Sequence, residues 1–257
     1  MLNCYSTGHK HSATVCQAFA AGIVGAPILP PAPYVSGQTF MYGCLRGLLP
    51  TLRQAQAKTD IYPWFYGDNG YVKRGHYHGY YRVTRNAYQH DGRGEADEGR
   101  WRSLGLDIKP WRKGGKHIVV CPPSRLWGAL MGFSADVWLD QTLKKLGEHT
   151  DRPIRVRMKM SWEQVKKPTA PLEEDLADAW MLVTHSSNAA VEAVLYGVPV
   201  ICTESCAAQI MGRTSIADVE SPVYPDDRLR WASVLASNQW TLDEMRDGTC
   251  WRMLKAG

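Results

Sequence analysis

Residues Val183 to Ile201 read VTHSSNAAVEAVLYGVPVI, and few folds accommodate such a run. A short apolar strand ends in a Thr-His-Ser-Ser-Asn turn, a helix of small residues follows, and Gly197-Val198-Pro199 returns the chain at once to a second apolar strand. Strand, helix and strand in immediate succession argue a parallel α/β sheet. The turn also carries chemistry. Hydroxyl and amide side chains at a helix N-terminus, with unpaired backbone N–H groups and the positive end of the helix, suit a phosphate, so the ligand class this stretch points to is a nucleotide.

The rest of the chain repeats the alternation. Leu2 to Tyr5 reads as a strand and Ser12 to Ala21 as a helix with Ser12 at its N-cap. A Pro-rich connection over Pro27 to Pro33 leads to a helix expected over Tyr42 to Ala57 and a strand over Ile61 to Tyr66, after which Gly67-Asp68-Asn69-Gly70 has the composition of a turn. Ile118 to Cys121 reads as a strand, Ala135 to His149 as a helix, Ile154 to Met158 as a strand and Pro171 to Trp180 as a short helix before the opening motif. A change of style at Gly114-Gly115 divides the chain into two such halves, residues 1–115 and 116–257. The tail from Asp226 to Leu254, with Trp231, Trp240 and Trp251 among apolar residues, is expected to form helices that pack on a sheet.

Composition narrows the class. At 257 residues and 44% hydrophobic, the chain is long enough for one large or two small globular domains. No apolar run approaches the roughly 20 residues that span a bilayer, and MLNCYSTGHKHS lacks the layout of a signal peptide, so a cytoplasmic protein with no membrane partner is expected. Seven Cys without a Cys-x2-Cys spacing argue against a zinc ribbon, and Cys202 and Cys206 read as buried small hydrophobes before they read as metal ligands.

The charge is concentrated. Lys73 to Lys116 holds eleven Lys or Arg against five Asp or Glu, while the remainder holds nineteen against twenty, so the net charge of +5 sits in this one segment. Aromatic and Gly residues interleave with it (GHYHGYYRVTRNAYQHDGRG). Such a stretch suits a polyanion held by phosphate contacts and stacking, with Lys73, Arg74, Tyr80, Tyr81, Arg82 and Arg85 as the contacting residues and DNA as the partner considered first. A solvated loop whose Arg residues pair with Asp91, Glu95, Asp97 and Glu98 accounts for the same composition.

In open α/β sheets ligands bind beyond the carboxyl ends of the strands. That rule gathers Pro122 to Arg125, Arg157 to Ser161 and Thr184 to Asn188. Arg155, Arg157 and Lys159 alternate onto one face, where cations would reach the phosphates held by Ser186 and Ser187. Helix capping alone explains Ser and Asn at this turn equally well.

The run THSSNAAVEAVLYGVPVI, preceded by Leu-Ala-Asp-Ala-Trp, resembles the nucleotide-sugar half of GT-B glycosyltransferases, particularly the capsule-type and phage-encoded branches. The resemblance spans Ile154 to Trp240. It implies two Rossmann-like halves facing a cleft, the last helix packing back on the first half, and a nucleotide-sugar donor, a UDP-sugar first, with no cofactor. Ser186, Ser187 and Asn188 are implied for the donor phosphates and Glu192 for the ribose or sugar, with His185 at the floor and Arg157 and Lys159 beside them. The retaining pattern of two Glu separated by seven residues is missing around Glu192, and no Asp-x-Asp pair is present to hold a metal.

Tyr66-Gly67-Asp68-Asn69-Gly70-Tyr71 is similar to the acidic strand-end turn of capsule-type sugar transferases. That similarity makes Asp68 the general base, with His9 and His11 in the first strand-to-helix loop as the alternatives. The function expected is transfer of a sugar to an acceptor hydroxyl, first a hydroxymethylated pyrimidine in phage DNA, where a base inside a duplex has to be made accessible. An anionic glycan is the rival acceptor, and a non-catalytic nucleotide-binding module with the same fold is the rival class.

Overall fold

Every residue of LNCY is buried, as a strand covered on both faces requires, and it forms β1 (Leu2–Tyr5). The computed structural model describes residues 1–33, 36–75, 77–158 and 170–256. After β1 come α1 (Lys10–Ala21), β2 (Ile28–Leu29), β3 (Gln38–Tyr42), α2 (Leu48–Ala57), β4 (Trp64–Asn69) and β5 (Tyr81–Arg85). Next are α3 (Glu98–Ser103), β6 (His117–Cys121), α4 (Arg125–Met131), α5 (Ala135–His149), β7 (Ile154–Val156), α6 (Leu172–Leu176), β8 (Ala179–Thr184), α7 (Ala189–Leu195) and β9 (Val200–Cys202). The chain ends with α8 (Arg228–Ser237), β10 (Gln239–Trp240), α9 (Leu242–Arg246) and α10 (Thr249–Ala256). It divides into two compact units, Met1–His90 with Leu235–Gly257, and Asp91–Val234.

The first unit is built on a six-stranded sheet in the order β10-β5-β4-β3-β1-β2. Its inner part is parallel: β1 pairs with β2 and with β3, and β3 with β4. β5 and β10 extend it antiparallel. The core lies between this sheet and α1, α9 and α10, where Phe19 stacks on Phe40 with ring centroids 3.9 Å apart. Trp240, Leu242, Met245 and Cys250 bring the end of the chain into the same cluster.

The second unit carries a wholly parallel sheet in the order β7-β6-β8-β9. Ile118 and Val120 of β6, Met181 and Val183 of β8 and Ile201 of β9 form its core with Leu146 of α5. Gly197 allows the sharp return after α7. Its φ is +81°, and a Cβ there would lie 2.1 Å from the Pro110 carbonyl oxygen, so a side chain would break the contact that lets Arg112 donate its N–H to the Gly197 carbonyl.

Both sheets thus show the alternation read from the sequence, and the α/β architecture with two Rossmann-like halves holds. Several local expectations are corrected. The helix expected from Tyr42 begins only at Leu48, because Gly43, Arg46 and Gly47 all take positive φ and Tyr42 belongs to β3. Gly67 to Asn69 continue β4 instead of turning, since Asp68 lies opposite Arg82 on β5. α1 starts two residues before Ser12, at Lys10, and no side chain caps it. The helix expected to Trp180 stops at Leu176, because Ala179 and Trp180 already pair into β8.

Candidate functional site

Where the third strand of such a sheet is laid down on the opposite side of the first from the second, the chain ends diverge and a crevice opens beyond the strand ends. This switch falls between β6 and β8 in the second unit and between β1 and β3 in the first. Each carries polar residues.

In the second unit Thr184, the last residue of β8, is buried and donates its hydroxyl to the carbonyl of Cys121, the last residue of β6, at 2.6 Å. The same hydroxyl oxygen accepts the N–H of Ser187 at 3.3 Å, and the Ser187 hydroxyl accepts the N–H of Ala189 at 3.2 Å. Two of the N–H groups of the turn that opens α7 are therefore bound by the turn's own side chains. Asn188 stands at the N-cap position, and Ser186 lies 2.9 Å from Nδ1 of His185. Arg157 is ion-paired with Asp175 and donates to the carbonyl of Ala170 at 2.8 Å, so its charge is met within the unit. Arg155 is exposed, and Lys159 lies outside the described residues. Burial pushes the Cys121 thiol up to about 12; the charge of Arg157 opposes this, while those of Asp175 and Glu192 add to it. Glu192 of α7 is thus near enough to the end of β6 for its charge to raise that thiol.

The second unit also has a cleft on the His185 side. A cleft of about 450 Å³ is walled by Phe133, Trp138 and His185, with Lys145, Thr203 and Glu204 among its polar groups. His185 stacks on Phe133, the rings 4.6 Å apart and 13° from parallel, and Trp138 meets it edge-on. The Trp138 indole N–H donates to the Thr203 hydroxyl at 3.2 Å. Burial lowers the His185 pKa from its ordinary value, and the charge of Glu204 opposes that shift. Apart from His185, sequence reasoning missed this lining. Thr203 and Glu204 directly follow the apolar strand β9, so the strand-end rule applied once more would have found them.

In the first unit the ends of β1, β3 and β4 converge on a polar and aromatic cluster. His11, half-buried in the first turn of α1, has Nε2 3.0 Å from the Tyr42 hydroxyl, which donates to Oδ1 of Asn69 at 3.2 Å. The His11 ring meets Tyr42 and Tyr77 edge-on and Tyr81 at a tilt, with centroids 5.2, 5.5 and 5.6 Å away. Asp68 pairs with Arg82 at 2.7 Å, and its other oxygen accepts the Asn69 N–H at 2.7 Å. Arg82 also donates to the Asn69 carbonyl at 3.1 Å and lies over the Tyr71 ring. His9 is exposed at the N-cap position of α1.

The structure thus groups Asp68 and His11 and leaves His9 at the surface. Of the expected acceptor contacts, Lys73, Arg74 and Arg85 are exposed and Tyr80 is half-buried, whereas Tyr81 and Arg82 are buried in β5. Tyr42 and Asn69 had not been singled out; their position at strand ends was the available signal. All seven Cys are buried thiols, Cys202 and Cys206 included, and no group of three or more His, Cys, Asp or Glu among the described residues is placed to hold a metal. Among the same residues, no helix is long and apolar enough to cross a membrane.

No family model and no curated protein matches the chain. Two solved structures from Thermosulfurimonas dismutans resemble it in three dimensions. One, KpsC beta Kdo 2,4 transferase, has a TM-score of 0.55 at 11% identity, covering 91% of this chain and 89% of the other. The second, KpsC beta Kdo 2,7 transferase, has a TM-score of 0.53 at 13% identity, covering 98% and 99%. At such identities the likeness is one of fold, and over nearly the whole chain that fold is α/β with two Rossmann-like halves of GT-B type.

Proposed function

We propose that the protein is a glycosyltransferase that moves a sugar from a nucleotide-activated donor to a hydroxyl of an anionic glycan. The observation that carries this reading is the fold likeness over 91% and 98% of the chain to two structures whose titles name Kdo transferases. The clusters at the two switch points support it, because strand ends at such a switch are where α/β sheets take their ligands.

The second unit holds the donor. Phe133, Trp138 and His185 form an aromatic wall for the nucleoside, Glu204 offers a carboxylate to the ribose hydroxyls, and Lys145 offers a charge to phosphate. Ser186, Asn188 and Glu192, on the turn and helix that follow His185, are assigned to the same donor. A direct displacement then needs one group that takes the acceptor proton as the sugar is attacked. Asp68 and His11 of the first unit are side chains of that kind. An anionic glycan is favoured over DNA because Tyr81 and Arg82, two of the six residues expected to grip DNA, are buried.

Mass spectrometry after incubation with UDP-, CMP- and GDP-sugars and either an anionic oligosaccharide or hydroxymethylated DNA tests the reading. A gain of one sugar on the oligosaccharide is expected. A gain on DNA alone would replace the acceptor, and tight nucleotide binding without product would favour a binding module. Stacking on an aromatic side chain contributes about 1–3 kcal/mol per base, so Trp138→Ala should weaken nucleotide binding by about tenfold or more in calorimetry. Unchanged affinity would remove the cleft from the donor site.

A further inference from the structure

We infer that Thr142 is the residue with which the cleft of the second unit reads a nucleobase, through a hydrogen bond to the polar edge of the base. This rests on the donor reading of that cleft given above. Thr142 lies in the middle of α5 and is 2% exposed. Trp138 stands one turn before it and Lys145 one turn after, and all three line the cleft.

The hydroxyl carries the inference. A Thr inside a helix ordinarily satisfies its hydroxyl on a backbone carbonyl one turn back. Thr14 does so in α1, donating to the Lys10 carbonyl at 2.9 Å, and Ser233 does so in α8, donating to the Leu229 carbonyl at 2.7 Å. The Thr142 hydroxyl makes no hydrogen bond among the described residues, although nearly all of the residue is out of water. Its oxygen is not enclosed either, so the little surface that Thr142 exposes includes the hydroxyl and opens on the cleft. Buried polar groups are nearly always paired, and one left open toward a cleft is a place for a ligand's polar group.

The neighbouring polar groups are engaged or lie at the rim. Trp138 spends its one donor on the Thr203 hydroxyl, His185 has Nδ1 2.9 Å from Ser186, and the Ser134 hydroxyl accepts the Val137 N–H. Gln141 and Lys145 are exposed. Thr142 is thus at the floor, with a hydrogen to donate and lone pairs to accept. A flat base stacked on the aromatic wall brings its edge to that floor, while ribose and phosphate stay toward the rim, where Lys145 is. A hydroxyl that can donate or accept suits the carbonyl and amino groups of a base edge.

The test uses Thr142→Val, which keeps the shape of the side chain and removes the hydroxyl, and Thr142→Ser, which keeps the hydroxyl. In calorimetry of the whole protein with UDP, CMP and GDP, the nucleotide that binds the wild type best should bind Thr142→Val at least about tenfold more weakly and Thr142→Ser within about threefold. Stability should not follow affinity. Removing an unpartnered hydroxyl leaves nothing unsatisfied, so Thr142→Val should melt at or above the wild-type temperature. In competition assays the corresponding nucleoside should lose the same factor as the nucleotide, because the phosphate takes no part.

Unchanged affinity in Thr142→Val overturns the inference. So does a lowered melting temperature, which would give the hydroxyl a role in the fold, and so does a loss confined to the nucleotide, which would place it at the phosphate. Trp138→Ala separates this inference from the reading beneath it. If Trp138→Ala weakens binding and Thr142→Val does not, the cleft remains the donor site and only the role of Thr142 falls. If neither variant weakens binding, or the wild type binds none of the three nucleotides, the donor reading falls as well.

Discussion

The parallel parts of the two sheets share one strand order, β2-β1-β3-β4 in the first unit and β7-β6-β8-β9 in the second, yet they are completed in opposite ways. The second unit is continuous in sequence from Asp91 to Val234 and all its sheet strands are parallel. The first needs two strands added by antiparallel pairing and a segment that begins 145 residues after His90. Gln239 shows the dependence: its side-chain oxygen accepts the N–H groups of Tyr71 and Val72 at 2.9 and 3.2 Å. The switch points differ in parallel. The second opens beside a cleft walled by aromatic rings, whereas the first is filled by side chains hydrogen-bonded to one another. One strand order can therefore leave either an open cleft or a hydrogen-bonded cluster at its switch, and side chains at the strand ends decide which.

The comparison breaks most sharply if the end of the chain is removed. Truncation after Ser237 deletes Trp240, Leu242, Met245 and Cys250 from the first core, and Trp240→Ala alone should cost about 3–5 kcal/mol. With the other three side chains lost as well, the total is comparable to the roughly 5–15 kcal/mol that holds a typical domain together. Hydrogen exchange should find β1, β3 and β4 unprotected in the truncated chain while β6 and β8 stay protected. Retained protection of β1 would mean that the first unit does not depend on its distant segment.

These differences also explain what could be read from residues alone. The run from Val183 to Ile201 was legible because its strands are buried on both faces, so apolar letters alone mark them, and α5 matched its expected limits because its caps and periodicity are local. β5 escaped notice because its reason for being a strand is not local: Arg82 is polar, and it is stable there only through Asp68 and Asn69 across the sheet. The same pairing made Asp68 look like a turn residue and a free carboxylate. Left-handed backbone at Gly43, Arg46 and Gly47 likewise hid the strand end that carries Tyr42.

A smaller effect separates the ion pairs of the two units. Arg82→Met removes the partner of a carboxylate whose side chain is 36% exposed and can rehydrate, so the cost should be about 1–3 kcal/mol, below the roughly 3–5 kcal/mol of a fully buried pair. The pair of Lys116 with Asp178 in the second unit is exposed on both sides, and Lys116→Met should leave the urea midpoint unchanged. Equal shifts in the two variants would show that Arg82 contributes no more than a surface charge.

The smallest effect is a pH dependence confined to the second unit. Burial holds the His185 pKa below its ordinary value, against the opposing charge of Glu204, so the unfolded chain takes up this proton at a higher pH than the folded one. By linkage, stability should be constant above the ordinary histidine range and should fall as the pH drops through about 6.5 toward the lower folded value. His185→Gln removes that proton, so the difference in urea midpoint between wild type and variant should shift in the variant's favour between pH 7.5 and pH 5.5. Other histidines contribute equally to both proteins and cancel. A ligand that packs on the Phe133 and His185 wall would desolvate the ring further and deepen the dependence, and only a ligand seated in this cleft would do so. If the two midpoints move in parallel, with or without nucleotide, the ring is solvated in both states and the cleft does not shield it.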